Sequence, residues 1–244
     1  MSRPADQSVR VLVTGFGPFP GISHNASAAV ALAIEKSPAA LGLEVATAII
    51  PVVWAGARAV AREAAARFKP HAILHFGVSK RASGFEIETR AFNMSGPKED
   101  QAGAVRPGTP LVDAGRPVLM STLPPSHLYG ALTEGGFPAV MSHDAGGYLC
   151  NALFYWSLCD AEMEGRLVSF VHLPAFGAGP EVEPRLTLEE AVGGARILVR
   201  ASAEAVLRAR QNEVSQRGGR IGHGSQTLHR DGRSGGRSAG DGCG

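Results

Sequence analysis

The chain has 244 residues, 44% of them hydrophobic, and its 24 Lys and Arg nearly balance 22 Asp and Glu to leave a formal net charge of +2. Such a chain can bury a sizeable core as one domain, which excludes a fibrous or wholly disordered protein. It contains no run of about 18 or more apolar residues, which excludes a membrane-spanning helix, and its three cysteines (Cys150, Cys159 and Cys243) are too sparse for a disulfide framework.

Met1 to Gln7 is polar and leads straight into a strand-like segment, so no signal peptide is expected and the predicted location is the cytoplasm, where thiols stay reduced. Ser8 to Val13 is apolar and β-branched and reads as a strand; Asn25 to Lys36, Ala-rich at helical spacing, reads as a helix. A second strand is predicted over Val45 to Ile50 and a helix over Gly56 to Phe68. Strands follow over Ala72 to Phe76 and Phe85 to Phe92. Gly96 to Thr122, rich in Gly and Pro, reads as a long excursion of the kind that carries function. A helix over Pro124 to Glu134, a strand over Pro138 to Met141, a helix over Leu149 to Glu162, a strand over Leu167 to Val171 and a helix over Leu188 to Gln211 complete the body. This alternation predicts an α/β fold, an open sheet covered by helices on both faces.

From Asn212 to Gly244 no apolar period survives, and ten of the 31 glycines fall there. Arg217, Arg220, Arg230, Arg233 and Arg237 against Glu213, Asp231 and Asp241 carry the whole net charge. The chain therefore divides into a domain over 1–211 and a tail over 212–244 that is expected to be disordered. Its Gly-Arg pairs are few, no aromatic residue is interleaved and acidic residues interrupt them, so no nucleic-acid partner is predicted.

Cys150 stands where the turn-rich stretch His143 to Leu149 gives way to the apolar run Asn151 to Trp156. A strand, a turn and a helix in that order lift a residue above a sheet edge. A thiol at a helix N-terminus also meets unpaired N–H groups and the positive end of the helix dipole, which favour the thiolate. Against this, a free cysteine is ordinarily a buried hydrophobe. Cys159 faces the opposite side of the same helix and cannot bridge to it. His172 follows the strand Leu167 to Val171, at the carboxyl end where ligand sites of α/β sheets lie, although a lone histidine is more often a structural hydrogen-bonder. Alternation along Phe85 to Phe92 puts Glu86, Glu88 and Arg90 on one face, opposite Phe85, Ile87 and Ala91, and the bland reading is a solvated face of paired charges. If the three converge, they supply a thiolate nucleophile, an imidazole base and an orienting carboxylate, and the reaction class is acyl transfer through a thioester.

Four stretches carry a resemblance: Val13 to Phe19 (Val-Thr-Gly-Phe-Gly-Pro-Phe), Ile87-Glu88 through Ala91-Phe92-Asn93, Ala145 to Asn151 with Phe154-Tyr155, and Val171 to Pro174. In order and separation they are similar to the motifs of pyroglutamyl peptidase I, a family of cytosolic cysteine peptidases that remove an N-terminal pyroglutamate. The resemblance spans Val9 to about Gln211. It implies a single-domain α/β/α sandwich with a largely parallel, mixed sheet, and a triad of Cys150 as nucleophile, His172 as base then acid, and Glu88 as its orienting group. No metal or organic cofactor is implied. The partner implied is a peptide with a pyroglutamyl N-terminus, and the family tends to form dimers or tetramers. Phe16, Phe19 and Tyr148 match aromatic positions of the lactam pocket, where flat apolar walls suit a neutral five-membered ring; for a single Phe the alternative is core packing.

The sequence departs from that pattern in three places, one of them near the nucleophile, where a Thr after the paired small residues is absent and Gly147 stands. A glutamine-bearing stretch before the glutamate is here Gly77-Val78-Ser79-Lys80-Arg81-Ala82, so Val78 replaces an amide, and Lys98 is the candidate for an arginine after Asn93. Two further readings follow: a related acyl hydrolase or amidase of altered specificity, and an inactive homologue that binds without cleaving.

Other motifs carry less. Gly15 to Gly21 lacks the spacing of a phosphate loop and two prolines remove N–H donors. His71 and His75 lie on a strand, too far apart along it for a zinc pair. Asn25-Ala26-Ser27 and Asn93-Met94-Ser95 match the glycosylation sequon, but without a signal peptide no modification is expected.

Overall fold

The central strands are runs of aliphatic and β-branched residues, the pattern of strands covered on both faces. The computed structural model describes residues 8–19, 25–36, 43–106, 108, 110–175 and 186–221, with side chains as far as 216. Its strands are β1 (Val9–Phe16), β2 (Leu43–Ile50), β3 (Ala72–Ser79), β4 (Phe85–Glu88), β5 (Arg90–Phe92), β6 (Val118–Met120), β7 (Ala139–Ser142) and β8 (Leu167–Pro174). The helices are α1 (Ala26–Glu35), α2 (Trp54–Phe68), α3 (Pro125–Glu134), α4 (Leu149–Glu164) and α5 (Leu188–Ile221). Six strands form one sheet in the order β2-β1-β3-β8-β4-β7, and β5 pairs with β6 apart from it. Strands β2, β1, β3 and β8 are parallel; β4 is antiparallel to β8 and parallel to β7, so those last two run the other way. This is the expected mixed α/β/α sandwich.

Side-chain alternation sorts the core into two layers. On one face Val11, Val13, Leu74, Phe76, Phe85, Ile87 and Val171 pack with α1, α3 and α5. On the other, Leu12, Ile73, Val168 and Phe170 pack with α2 and α4. Helix α4 is buried nearly all round over its first three turns, from Leu149 to Ala161, as a helix wedged between a sheet and its neighbours must be.

The structure departs from the sequence reading at several places. The segment Phe85 to Phe92 is not one strand. It breaks at Thr89, whose N–H and hydroxyl both bond the Ser142 carbonyl, and the chain then leaves the main sheet to pair with β6. Arg90 consequently does not pair with the glutamates; its Nε donates to the His143 carbonyl and its guanidinium lies over the Phe92 ring. Strand β8 continues to Pro174, so His172 lies within the strand, paired with Gly77 of β3 and Glu86 of β4. Helix α5 runs to Ile221, past the expected boundary at Gln211 and into the segment expected to be disordered. Extending an existing helix requires one residue to be fixed per hydrogen bond gained, and residues 212–216 do so exposed, without an apolar stripe. The rest of the expected tail, 222–244, lies outside the described residues.

The turn after β1 is set by close approach. A Cβ on Gly15 would stand 2.2 Å from the Ser27 carbonyl oxygen in the first turn of α1. Asn25 caps that helix by accepting from the Ser27 N–H, and its Nδ2 donates to the Gly17 carbonyl. Asn93 is likewise occupied, accepting from Val112 N–H and donating to the carbonyls of Val112 and Gly115. Both sequon asparagines are therefore structural clamps.

Gly15→Ala is expected to lower the unfolding free energy by about 3 kcal/mol, because backbone must move to admit the methyl. Gly130→Ala, inside α3 with nothing within 4 Å of the added carbon, is expected to raise it by up to about 1 kcal/mol. Urea unfolding midpoints measure both, and a Gly15→Ala protein as stable as the parent would contradict the close approach of Gly15 to Ser27.

Candidate active site

The turn between β7 and α4 is built to deliver Cys150. Gly146 adopts φ +80°, a left-handed conformation suited to glycine, and its N–H is held by the Asp144 carboxylate. Tyr148 is the N-cap residue of α4 but offers it no side-chain bond, so the N–H groups of the first turn, Cys150 among them, are left without a side-chain cap. Asn151 locks this end of the helix in place: its Oδ1 accepts from Phe92 N–H, and its Nδ2 donates to the carbonyls of Phe92 and Met94. The sulfur is half-buried and rests over Gly77, where a Cβ would come within 3.0 Å of Sγ and 2.7 Å of the Phe170 ring. Gly77 is thus the gap in β3 that lets the thiol reach the sheet. Cys159, on the far side of α4, is buried.

Glu88 and His172 come to the same place from neighbouring strands. Glu86 pairs with His172 and Glu88 with Phe170, and in an antiparallel ladder all four side chains share one face, the α2/α4 face on which Cys150 stands. His172 Nδ1–H donates to Glu88 Oε1 across 2.7 Å, and both residues are buried, Glu88 completely. That bond fixes the tautomer and directs the other ring nitrogen at the thiol, with which the imidazole also forms a hydrogen bond. Burial alone would depress the histidine. The hydrogen bonds and charges of Cys150 and Glu88 outweigh it and raise His172 from 6.5 to about 10. The imidazolium is therefore the form that this pocket holds at neutral pH. Phe170 packs against the ring at 4.9 Å between centroids, tilted by 55°.

The expected face of solvated charges is thus replaced by a buried one. Glu86, Glu88 and His172 offer oxygen and nitrogen atoms within 4.8 Å of one another. His172 Nδ1 already donates to Glu88, which leaves that nitrogen no lone pair for a metal. His75, the other strand histidine, is a core residue: its Nδ1 bonds Thr14 Oγ1 at 2.7 Å and its Nε2 bonds Ser157 Oγ at 2.9 Å. Burial lowers it to about 3, so it stays neutral.

The three aromatic candidates divide. Phe16 is 3% exposed and packs on Phe170, a core position against the site. Phe19 and Tyr148 are half-buried and share a cation, Lys98, whose Nζ lies 4.3 Å from the Tyr148 ring centroid and 5.8 Å from that of Phe19. The excursion after Asn93 supplies that lysine and is stitched down on both sides of it. Gly96 N–H bonds the Gly147 carbonyl, and Tyr148 donates to the Glu99 carbonyl at 2.9 Å. Asp100 accepts from the backbone of Trp54, Ala102 and Ala104, capping α2 from another segment; burial opposes its ionisation, and those bonds hold it below its usual range. Tyr148 is raised by burial and by the nearby charges of Asp100 and Cys150, so it remains a donor. Trp54 stands edge-on to it at 5.5 Å. Sequence reasoning missed Trp54, Gly77 and Phe170, since none carries reactive chemistry and each matters only through its neighbours. Alternation places Val78 with Leu74 and Phe76, on the face away from the thiol.

Comparison with known proteins gives one answer. The family model for pyroglutamyl peptidase matches residues 9–206. The chain is 28% identical over 215 residues to the pyrrolidone-carboxylate peptidase of Pyrococcus furiosus, covering 82% of this chain and 100% of that one. It is 32% identical over 205 residues to the corresponding protein of Coprothermobacter proteolyticus, covering 80% and 97%. Among solved structures it resembles a mutant pyrrolidone carboxyl peptidase of Pyrococcus furiosus, with TM-score 0.76 and 27% identity over 80% of this chain and 99% of that one. Pyroglutamyl peptidase I of Bacillus amyloliquefaciens gives TM-score 0.76 and 25% identity over 81% and 98%. With the match running from β1 into α5 and through every segment that brings thiol, imidazole and carboxylate together, the chain belongs to the pyroglutamyl peptidase family.

Proposed function

We propose that the protein is a cysteine exopeptidase that removes an N-terminal pyroglutamyl residue from peptides through a thioester on Cys150. The observation that carries this reading is the buried bond from His172 to Glu88, which aims a charged imidazole at a thiol on a helix N-terminus. The Cys150 thiolate attacks the pyroglutamyl carbonyl carbon. As the C–S bond forms, the oxyanion is met by first-turn N–H groups of α4. The C–N bond then breaks, and His172 gives its proton to the departing amine. Water attacks the thioester with its proton passing to His172, the C–S bond breaks, and pyroglutamate leaves. Phe19 and Tyr148 form the apolar side of the acyl pocket, and Phe16 supports it from the core through its contact with Phe170. The reaction needs a free thiol, which fits a reducing cytoplasm, and no helix among the described residues is long and apolar enough to cross a membrane.

A second reading keeps the triad but changes the acyl group. It is favoured by Lys98, whose ammonium lies over two of the three aromatic residues assigned to the pocket. Purified protein is expected to release the fluorophore from a pyroglutamyl amide, and Cys150→Ala to abolish that release. Turnover confined to non-lactam acyl amides would select the second reading, and no turnover of either would overturn both. Iodoacetamide is expected to modify Cys150 well before the buried Cys159, with loss of activity tracking the first event.

The pH profile follows from the histidine. A group raised from 6.5 to about 10 keeps its proton through the neutral range and loses it above, so kcat/KM is expected to fall on an alkaline limb near pH 10. Glu88→Gln removes one cause of the rise. It is expected to lower kcat/KM about 100-fold or more and to move that limb to lower pH. A limb centred near pH 6.5 in the parent would contradict the assignment.

A further inference from the structure

Glu86 stands beside the triad and takes no part in the bond-making steps. It lies directly opposite His172 in the ladder between β4 and β8, where paired residues stand about 4.5–5.5 Å apart at Cβ. A Glu86 oxygen, a Glu88 oxygen and a ring nitrogen of His172 fall within 4.8 Å of one another. The cations that the sequence offers Glu86 are engaged elsewhere or face solvent. Arg90 bonds the His143 carbonyl and lies over the Phe92 ring, and Lys80 and Arg81, in the turn before β4, are exposed. Among the described residues no hydrogen bond or ion pair reaches the Glu86 carboxylate.

Glu88 is not better supplied. Its Oε1 accepts the Nδ1–H, and its buried Oε2 has no hydrogen-bond partner. The imidazolium is thus the cation that two carboxylates share, and removing its proton would leave them facing each other with the sulfur nearby, so each raises the cost of that loss. The other groups facing the ring are few. Cys150 comes from α4, whose N-cap Tyr148 is neutral; β3 brings Gly77 and the neutral His75, which also packs on Phe170; β7 brings Val140 and Ser142 to the same face, neither of them charged.

We propose that Glu86 is a positioning residue of the reaction: opposite His172 across the ladder, its carboxylate is a second counter-charge that keeps the imidazole protonated for the departing amine and makes it a stronger base toward the water that attacks the thioester. The proton still moves from His172 to the amine and from water back to His172; Glu86 changes only the free energy of the cation. The kinetic half of the proposal rests on the peptidase reading, and the electrostatic half does not. Two measurements on the full chain keep them apart. The His172 ring signals, assigned by their loss in His172→Gln, are titrated by NMR in the parent, Glu86→Gln and Glu86→Asp, and kcat/KM on a pyroglutamyl amide is followed over the same pH range. Glu86→Gln is expected to lower the His172 midpoint, and with it the alkaline limb, by about 0.5–1 pH unit, less than a fully buried neighbour would, because Glu86 is half-buried. Glu86→Asp keeps the charge and is expected to recover at least about half of that change. Should Glu86→Gln fail to fold, Glu86→Thr gives the same reading, since Thr suits a strand position. A side chain that merely packs would move neither midpoint nor limb. A midpoint unmoved by Glu86→Gln would overturn the proposal whatever the turnover, and so would a midpoint that moves in an active enzyme whose limb does not. A midpoint that moves in a protein inactive on every acyl amide would uphold the counter-charge and overturn the peptidase reading instead.

Discussion

A charged imidazole held in a buried place is the constraint around which this molecule is arranged. Removed from water, His172 would be neutral, as His75 is a few residues away on the same face of the sheet. The two differ in their partners. His75 is bracketed by hydroxyls, which bond either form, whereas His172 is bracketed by a carboxylate and a thiol, which favour the cation. Desolvation wins in one case and Coulomb attraction in the other.

Holding that group requires the rest of the fold. Glu88 can reach His172 only because β4 runs antiparallel to β8, and Cys150 can reach it only because β3 has a glycine where any side chain would strike the sulfur. Phe170 lies under both histidine rings, which makes one aromatic side chain the shared support of the core and the site. Helix α4 serves at both ends: its N-terminus presents the thiol, while Asp160 further along it pairs with Arg58 and Arg62 of α2.

The excursion after Asn93 shows how a segment of little regular structure becomes part of a site. Its carbonyls and N–H groups are satisfied by α2, by the turn before α4 and by its own Asp100. A loop so tethered can hold Lys98 over two aromatic rings with little further loss of conformational freedom.

The sequence by itself determined the elements, their types and the residues with reactive chemistry, because hydrophobic period, glycine-rich turns and helix starts are written within a few residues of one another. Cys150 at a helix start, Glu88 in a strand and an open α/β sheet were all legible in that way. The tertiary structure alone decided that β4 and β7 run backwards, that the strand of Glu88 breaks at Thr89, that His172 lies inside β8, and that Val78 faces away from the thiol. It also decided that α5 continues into residues once assigned to the tail. The physical reason is range. Strand direction and register are set by hydrogen bonds to segments that lie 54 to 95 residues away in the chain, and no local pattern records which partner will be found.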